Sequence, residues 1–187
     1  MRLLMMAASL RRGSYNKKLV RLTASLARAE GVDVDVAEFS EFPVPTYNFD
    51  DEEGTGIPVG AQAFAQRLGE ASGVVISSPE YNHSLPGTIK NLIDWVSRIR
   101  PLPFKNKHAL LLSASPSVVG GNRGLWALRV PLEAMEVLVY PSMFSLAKAN
   151  QAFGDDGELL DPKLAQRLDS ILGSYLRMAG ALENTHA

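Results

Sequence analysis

The chain contains no cysteine. That absence excludes disulfides, thiolate zinc sites, Cys-ligated iron–sulfur clusters and a cysteine nucleophile together. A basic excess is missing as well: nineteen Lys and Arg stand against twenty Asp and Glu, for a net charge of −1. That balance argues against a dedicated nucleic-acid binder. No apolar run approaches the ~20 residues needed to span a bilayer. The start, MRLLMMAASLRRGS, carries its arginine pair after the apolar stretch instead of before it, and polar GSYNKK follows. It therefore reads as neither an export signal nor a twin-arginine signal, and a soluble cytoplasmic protein is expected. The strings GxGxxG, GxxxxGK with Ser or Thr, and GxSxG are all absent. Their absence removes the dinucleotide fingerprint, the ATP P-loop and the hydrolase nucleophile elbow.

What remains is 187 residues, 46% hydrophobic, enough for one domain over 1–187 that needs no metal staple. Its even charge total is unevenly laid out. Residues 1–29 hold seven bases and no acid, and residues 30–53 hold nine acids and no base. Such runs read first as solvated faces. The alternative is that the basic stretch conceals an anion site, with Arg11 its best member and Arg12 the next.

Three continuous apolar runs, Leu3–Ala8, Gly73–Ser77 and His108–Ala114, fit strands buried on both faces. Val32–Val36 alternates, as a strand nearer a sheet edge does, and a fifth strand is expected around Val137–Tyr140. Helical spacing follows each strand: from Asn16, over Val59–Ala71, after Pro86 with Ser84 as a cap, over Leu125–Met135, and from Asp161-Pro162. A loop is expected over Ser40–Gly60. The order βαβαβαβαβα predicts a five-stranded parallel sheet in order 2-1-3-4-5 with helices on both faces. Ligands bind such a sheet at the carboxyl ends of the strands, where the order reverses. The loops meeting there are Ser9–Asn16, Ser78–Gly87 and Ser115–Gly124.

The first loop, SLRRGSYN, has hydroxyls at Ser9 and Ser14, a glycine and a free helix start. Helix-end amides with Arg11 suit a phosphomonoester, and Asn16 is placed to cap the helix. The second loop, SSPEYNHSLPG, supplies Tyr81 and Leu85 to pack on a planar ring and Asn82 to bond its heteroatoms. His83 reads as a surface histidine or an acid–base group, and Trp95 as core or as a ligand platform. In the third loop, Gly120-Gly121 permits positive φ and close approach, while Arg123 reads as a surface residue or a phosphate or partner contact.

Carried by SLRRGSYN, SSPEYNHSLPGTIKNLIDW and SASPSVVGG, with FPVPTYN and FGDDGELLDPKL as weaker echoes, the chain resembles the NADPH-dependent FMN reductase family. The resemblance runs from Arg2 to about Tyr175; a departure is Ala8, where the family commonly has Gly. It implies a flavodoxin-like three-layer α/β sandwich binding FMN, with NADPH or NADH as donor and a quinone, azo compound, free flavin or metal oxyanion as acceptor. Position by position, it implies Ser9, Arg11, Ser14 and Asn16 at the FMN phosphate. Pro79, Glu80, Tyr81 and Asn82, with His83 beside them, fall at the ring, and Ser115 with the Gly120-Gly121 backbone at its other edge. A homodimer or homotetramer is also implied, with the Pro86–Arg98 helix in the contact, and with neither nucleic acid nor membrane as partner. Two other readings stay open: a flavodoxin-type electron carrier without NAD(P)H turnover, which pI ≈ 6.3 disfavours, and a non-catalytic module that kept the fold.

Overall fold

In the computed structural model, which describes residues 1–184, six strand segments form one sheet. β1 (Arg2–Ala7), β2 (Asp33–Glu38), β3 (Gly73–Ser77), β4 (His108–Ala114) and β5 (Leu138–Val139) run in the order β2-β1-β3-β4-β5. All neighbouring pairs are parallel. The expected fifth strand is split. After β5 comes Tyr140-Pro141-Ser142-Met143, and β6 (Phe144–Leu146) then resumes pairing with the end of β4. Pro141 has no N–H to give a ladder, which accounts for the break.

Helices α1 (Tyr15–Ala29) and α6 (Pro162–Asn184) cover one face; α3 (Val59–Gly69), α4 (Gly87–Val96) and α5 (Asn122–Ala134) cover the other. The strands sort their side chains by parity. Leu4, Met6, Val74, Ile76, Ala109 and Leu111 point into one core, and Leu3, Met5, Val75, Leu110 and Leu112 into the other. Each such Leu, Ile or Met contributes roughly 1.5–3 kcal/mol of burial, which is why these runs show no polar alternation.

Three local expectations are corrected. The 40–60 segment is not all loop: Phe39–Glu41 forms a short 3₁₀ turn and α2 spans Phe49–Thr55. Asn48 caps α2 by accepting the Asp50 N–H at 3.1 Å, and three acids fill its first turn, where the helix dipole favours them. At α4 the cap position belongs to Pro86, not Ser84, and no side chain caps it. At α1 it belongs to Ser14, because Asn16 lies inside the helix. Asp161 does open α6, accepting the Lys163 N–H at 2.9 Å.

Candidate functional site

β1 and β3 are neighbours in the sheet although α1, β2, α2 and α3 separate them in sequence, so the order reverses between them. Ala7 and Ser77 lie side by side at their carboxyl ends, and β4 ends beside them. The loops leaving these strands enclose a cleft of about 160 Å³. Of the predicted residues, Ser9, Arg11, Ser14, Asn16, Pro79, Glu80, Tyr81 and Ser115 line it. Tyr15, Ala114 and Pro116 line it too, and sequence reasoning missed them. Tyr15 has an available signal, standing one place after the cap serine at a helix start.

The Ser9–Asn16 end is built for an anion. Ser9 and Ser14 are buried. Ser14 occupies the α1 cap position without spending its hydroxyl on the helix, so the first-turn amides keep their N–H groups free of a side-chain cap. A Cβ placed on Gly13 meets nothing within 4 Å, so space stands over the backbone there. The seven bases of the first segment divide clearly. Arg2 lies within 4 Å of Asp33, Asp35 and Glu70; Lys17 and Arg21 pair with Glu38; Arg28 bonds the Val34 carbonyl; Lys18 lies over the Phe153 ring. The acid run on β2 thus neutralises much of the basic run on β1 and α1. Among the described residues, Arg11 and Arg12 have no carboxylate partner within 4 Å, and Arg11 lies 5.8 Å from the Tyr15 ring. Serine hydroxyls, open helix amides and an unpaired guanidinium fit a phosphate.

Asn16 works behind this surface. Its Nδ2 donates to the Ala114 carbonyl (3.0 Å), and its Oδ1 accepts the Ala114 N–H (2.9 Å) and the Ser77 hydroxyl (2.8 Å). One buried amide therefore ties α1 to the ends of β3 and β4.

The second loop turns back on itself. Tyr81 and Ser84 exchange backbone bonds of 3.0 Å each way, and Asn82 and His83 between them have φ of 49° and 66°. Positive φ at both central residues is type I′ turn geometry, which normally calls for Asn-Gly. A histidine there is strained, and strain of this kind collects at working sites. Neither Asn82 nor His83 lines the cleft.

Glu80 lines it, but its carboxylate faces α5. It accepts from the Arg123 backbone N–H (3.0 Å), the Gly124 N–H (3.2 Å) and the Arg123 guanidinium (2.7 and 2.8 Å). Burial alone would raise its pKa; the Arg123 and Gly124 hydrogen bonds outweigh that and hold it below the usual value. Gly120 and Gly121 have φ of 69° and 85°. A Cβ on Gly121 would overlap the buried Ser113 hydroxyl, and one on Gly120 would lie 2.9 Å from the Ala147 nitrogen. The close approach these glycines allow is therefore to the protein itself. The Ser115 hydroxyl accepts the Ser117 N–H at 3.2 Å. Trp95 is fully buried and donates to the Pro45 carbonyl, so it is core.

The enclosed cleft is smaller than the ~300–1,000 Å³ of whole ligand pockets, so a larger ligand held here extends from its mouth. Among the described residues no group of three or more His, Asp and Glu could hold a metal ion, and no helix is long and apolar enough to cross a membrane.

The family model for NADPH-dependent FMN reductase matches residues 1–151. A quinone reductase of Escherichia coli is 33% identical over 169 residues, 89% of each chain. An NAD(P)H-dependent FMN reductase of Pseudomonas aeruginosa is 33% identical over 168 residues, 89% of this chain and 88% of that one. Among solved structures, a flavoenzyme NAD(P)H:(acceptor) oxidoreductase from Paracoccus denitrificans superposes with a TM-score of 0.81 at 26% identity, covering 96% of this chain and 97% of that one. Flavodoxin 1 of Bacillus cereus, at 12% identity and TM-score 0.62 over 95% and 98% of the chains, shares the fold.

Proposed function

The chain belongs to the NADPH-dependent FMN reductase family, and on that footing we propose that it is an FMN-dependent NAD(P)H oxidoreductase whose acceptor is a quinone or similar small molecule. When bound, FMN supplies hydride acceptance from NAD(P)H and delivery of two electrons to the acceptor, in ping-pong order at one site. The observation that carries this reading is the anion cradle at the start of α1, opening into a cleft walled by Pro79–Tyr81.

In this reading Ser9, Ser14, Arg11 and the α1 amides hold the phosphate. Asn16 stands behind them as a positioning residue, its amide already spent on Ala114 and Ser77. The Pro79–Tyr81 backbone and the Tyr81 side chain take the ring on one side and Ser115 bounds the other; Gly120 and Gly121, which lie outside the cleft lining, pack behind that edge against Ala147 and Ser113. Asn82 and His83 shape this wall through their turn. The quinone reductase among its relatives supports a quinone as acceptor, and the FMN reductase supports a free flavin; an azo compound or metal oxyanion is reached by the same chemistry.

The test is the spectrum of the purified protein. A yellow protein that releases FMN and bleaches rapidly on anaerobic mixing with NADPH is expected, with the colour returning on addition of a benzoquinone. Bleaching only through a separate reductase would instead mark an electron carrier. Arg11→Ala is expected to weaken FMN binding by more than about 1 kcal/mol, as for loss of a charge-assisted bond. Unchanged affinity removes Arg11 from the site. A homodimer or homotetramer is also proposed. It is supported by Trp126 and Val130 on α5, 57% and 69% exposed. Trp126→Glu is expected to lower the mass measured by light scattering.

A further inference from the structure

The sequence leaves Arg123 more than one reading and sets Glu80 beside the expected ligand ring. They meet in one contact. α5 has Gly121 at its cap position, so it has no side-chain cap of its own, and it has no acid in its first turn. Glu80 supplies both from another loop, taking the Arg123 and Gly124 N–H groups on one oxygen and the Arg123 guanidinium on the other. The glycine at 124 permits the approach, since a Cβ there would lie 3.0 Å from Glu80 Cα and 3.1 Å from the Ser84 carbonyl oxygen. The carboxylate is 9% exposed and the guanidinium 43%.

We propose that Glu80 and Arg123 are positioning residues of the flavin site: an ionic latch that fixes the Ser78–Gly87 loop to the start of α5 and balances the charge at the cleft wall. The inference rests on the FMN reading above. The geometric half follows from the contact itself, because the loop backbone at Pro79–Tyr81 cannot shift without breaking the cap of α5. The electrostatic half follows from sign. Glu80 lines the cleft, and its charge opposes any gain of negative charge by a ring bound there; paired with Arg123, the wall is neutral. Arg11, the other charged side chain lining the cleft, is cationic and unaffected by the pair.

The experiment measures FMN affinity of apoprotein by fluorescence quenching, and the midpoint potential of bound FMN, in Arg123→Ala, Glu80→Gln and Arg123→Lys. Arg123→Ala and Glu80→Gln are each expected to weaken FMN binding about tenfold or more, as loss of charge-assisted bonds implies. Their potentials move in opposite directions. Arg123→Ala leaves a bare carboxylate and lowers the potential, whereas Glu80→Gln leaves a bare guanidinium and raises it. A tenfold change in the ratio of oxidised to reduced affinity reads as ~30 mV for a two-electron couple. Arg123→Lys restores the potential but only part of the affinity, because it keeps the charge and loses the planar fork. A purely structural role would lower melting temperature without opposite potential shifts. Folded variants with wild-type affinity, or potentials moving in one direction, overturn the latch. If either charge variant does not fold, Gly124→Ala reads the same contact without altering charge; weakened FMN binding supports the latch, and wild-type binding overturns it. Wild-type apoprotein that takes up no FMN sinks the functional reading itself, which separates the two failures.

Discussion

Asn16 lines the cleft, but it does not cap the helix. Its position at the start of a helix suggested a cap, yet the side chain turns inward to three partners on two strands. Nothing local in SLRRGSYN reveals this, because the partners are 61 and 98 residues away. Asn16→Ala leaves the Ala114 amide and carbonyl without this partner. It is expected to lower stability by about 2–3 kcal/mol, the cost of orphaned buried polar groups, read from urea midpoints. Glu80 is the same lesson with charge. The sequence shows a carboxylate in a loop at the carboxyl ends of the strands, but the cationic partner that redirects it stands 43 residues on. The residues legible in advance were those whose surroundings are local: Ser9, Arg11, Ser14 and Pro79–Tyr81, all on the cleft.

The strands and long helices were legible because their periodicity is strong; the 42–55 segment was not, because long-range contacts organise it. α4 and the turn that follows it hold that segment. Asn91 accepts the Tyr47 N–H at 2.8 Å and donates to the Pro45 carbonyl at 2.7 Å; Trp95 donates to the same carbonyl at 2.8 Å; Arg98 grips Glu52. Glu52 in turn accepts the Tyr47 hydroxyl, which with Arg98 holds the Glu52 carboxyl below its usual pKa. The string IKNLIDW that carried the family resemblance thus spends Asn91 and Trp95 on the fold. Asn91→Ala is expected to free the segment locally, by roughly 1–2 kcal/mol. Limited proteolysis should then cut within 43–57 faster, while the global melting temperature moves little. An unchanged cleavage rate would place the restraint on Trp95 and Arg98 alone.

Across the molecule the two ends of the sheet divide the labour. The carboxyl ends carry the cleft; the amino ends carry His108, which is buried and hydrogen-bonded to the Tyr175 hydroxyl at 2.7 Å. Burial pushes the His108 pKa down to about 4, with Glu183 partly opposing and Lys107 adding to the fall. The unfolded chain, with an ordinary value of 6.5, binds more protons through this window. The histidine's contribution is therefore complete above pH 6.5 and is lost as pH falls through about 4. On the order of 3 kcal/mol should disappear across that range. His108→Phe, less stable at neutral pH because Tyr175 loses its partner, is expected to show a flatter stability profile from pH 7 to 4 by urea titration. The same end brings the Met1 amino group within 3.3 Å of Glu183. The start of the chain and the end of α6 are therefore near neighbours, at the opposite end of the strands from the cleft. A short linker can join them, and the ring so formed can be reopened at the Gly154–Gly157 turn. Such a circular permutant is expected to fold and retain FMN, with its new ends placed without cutting any strand of the sheet.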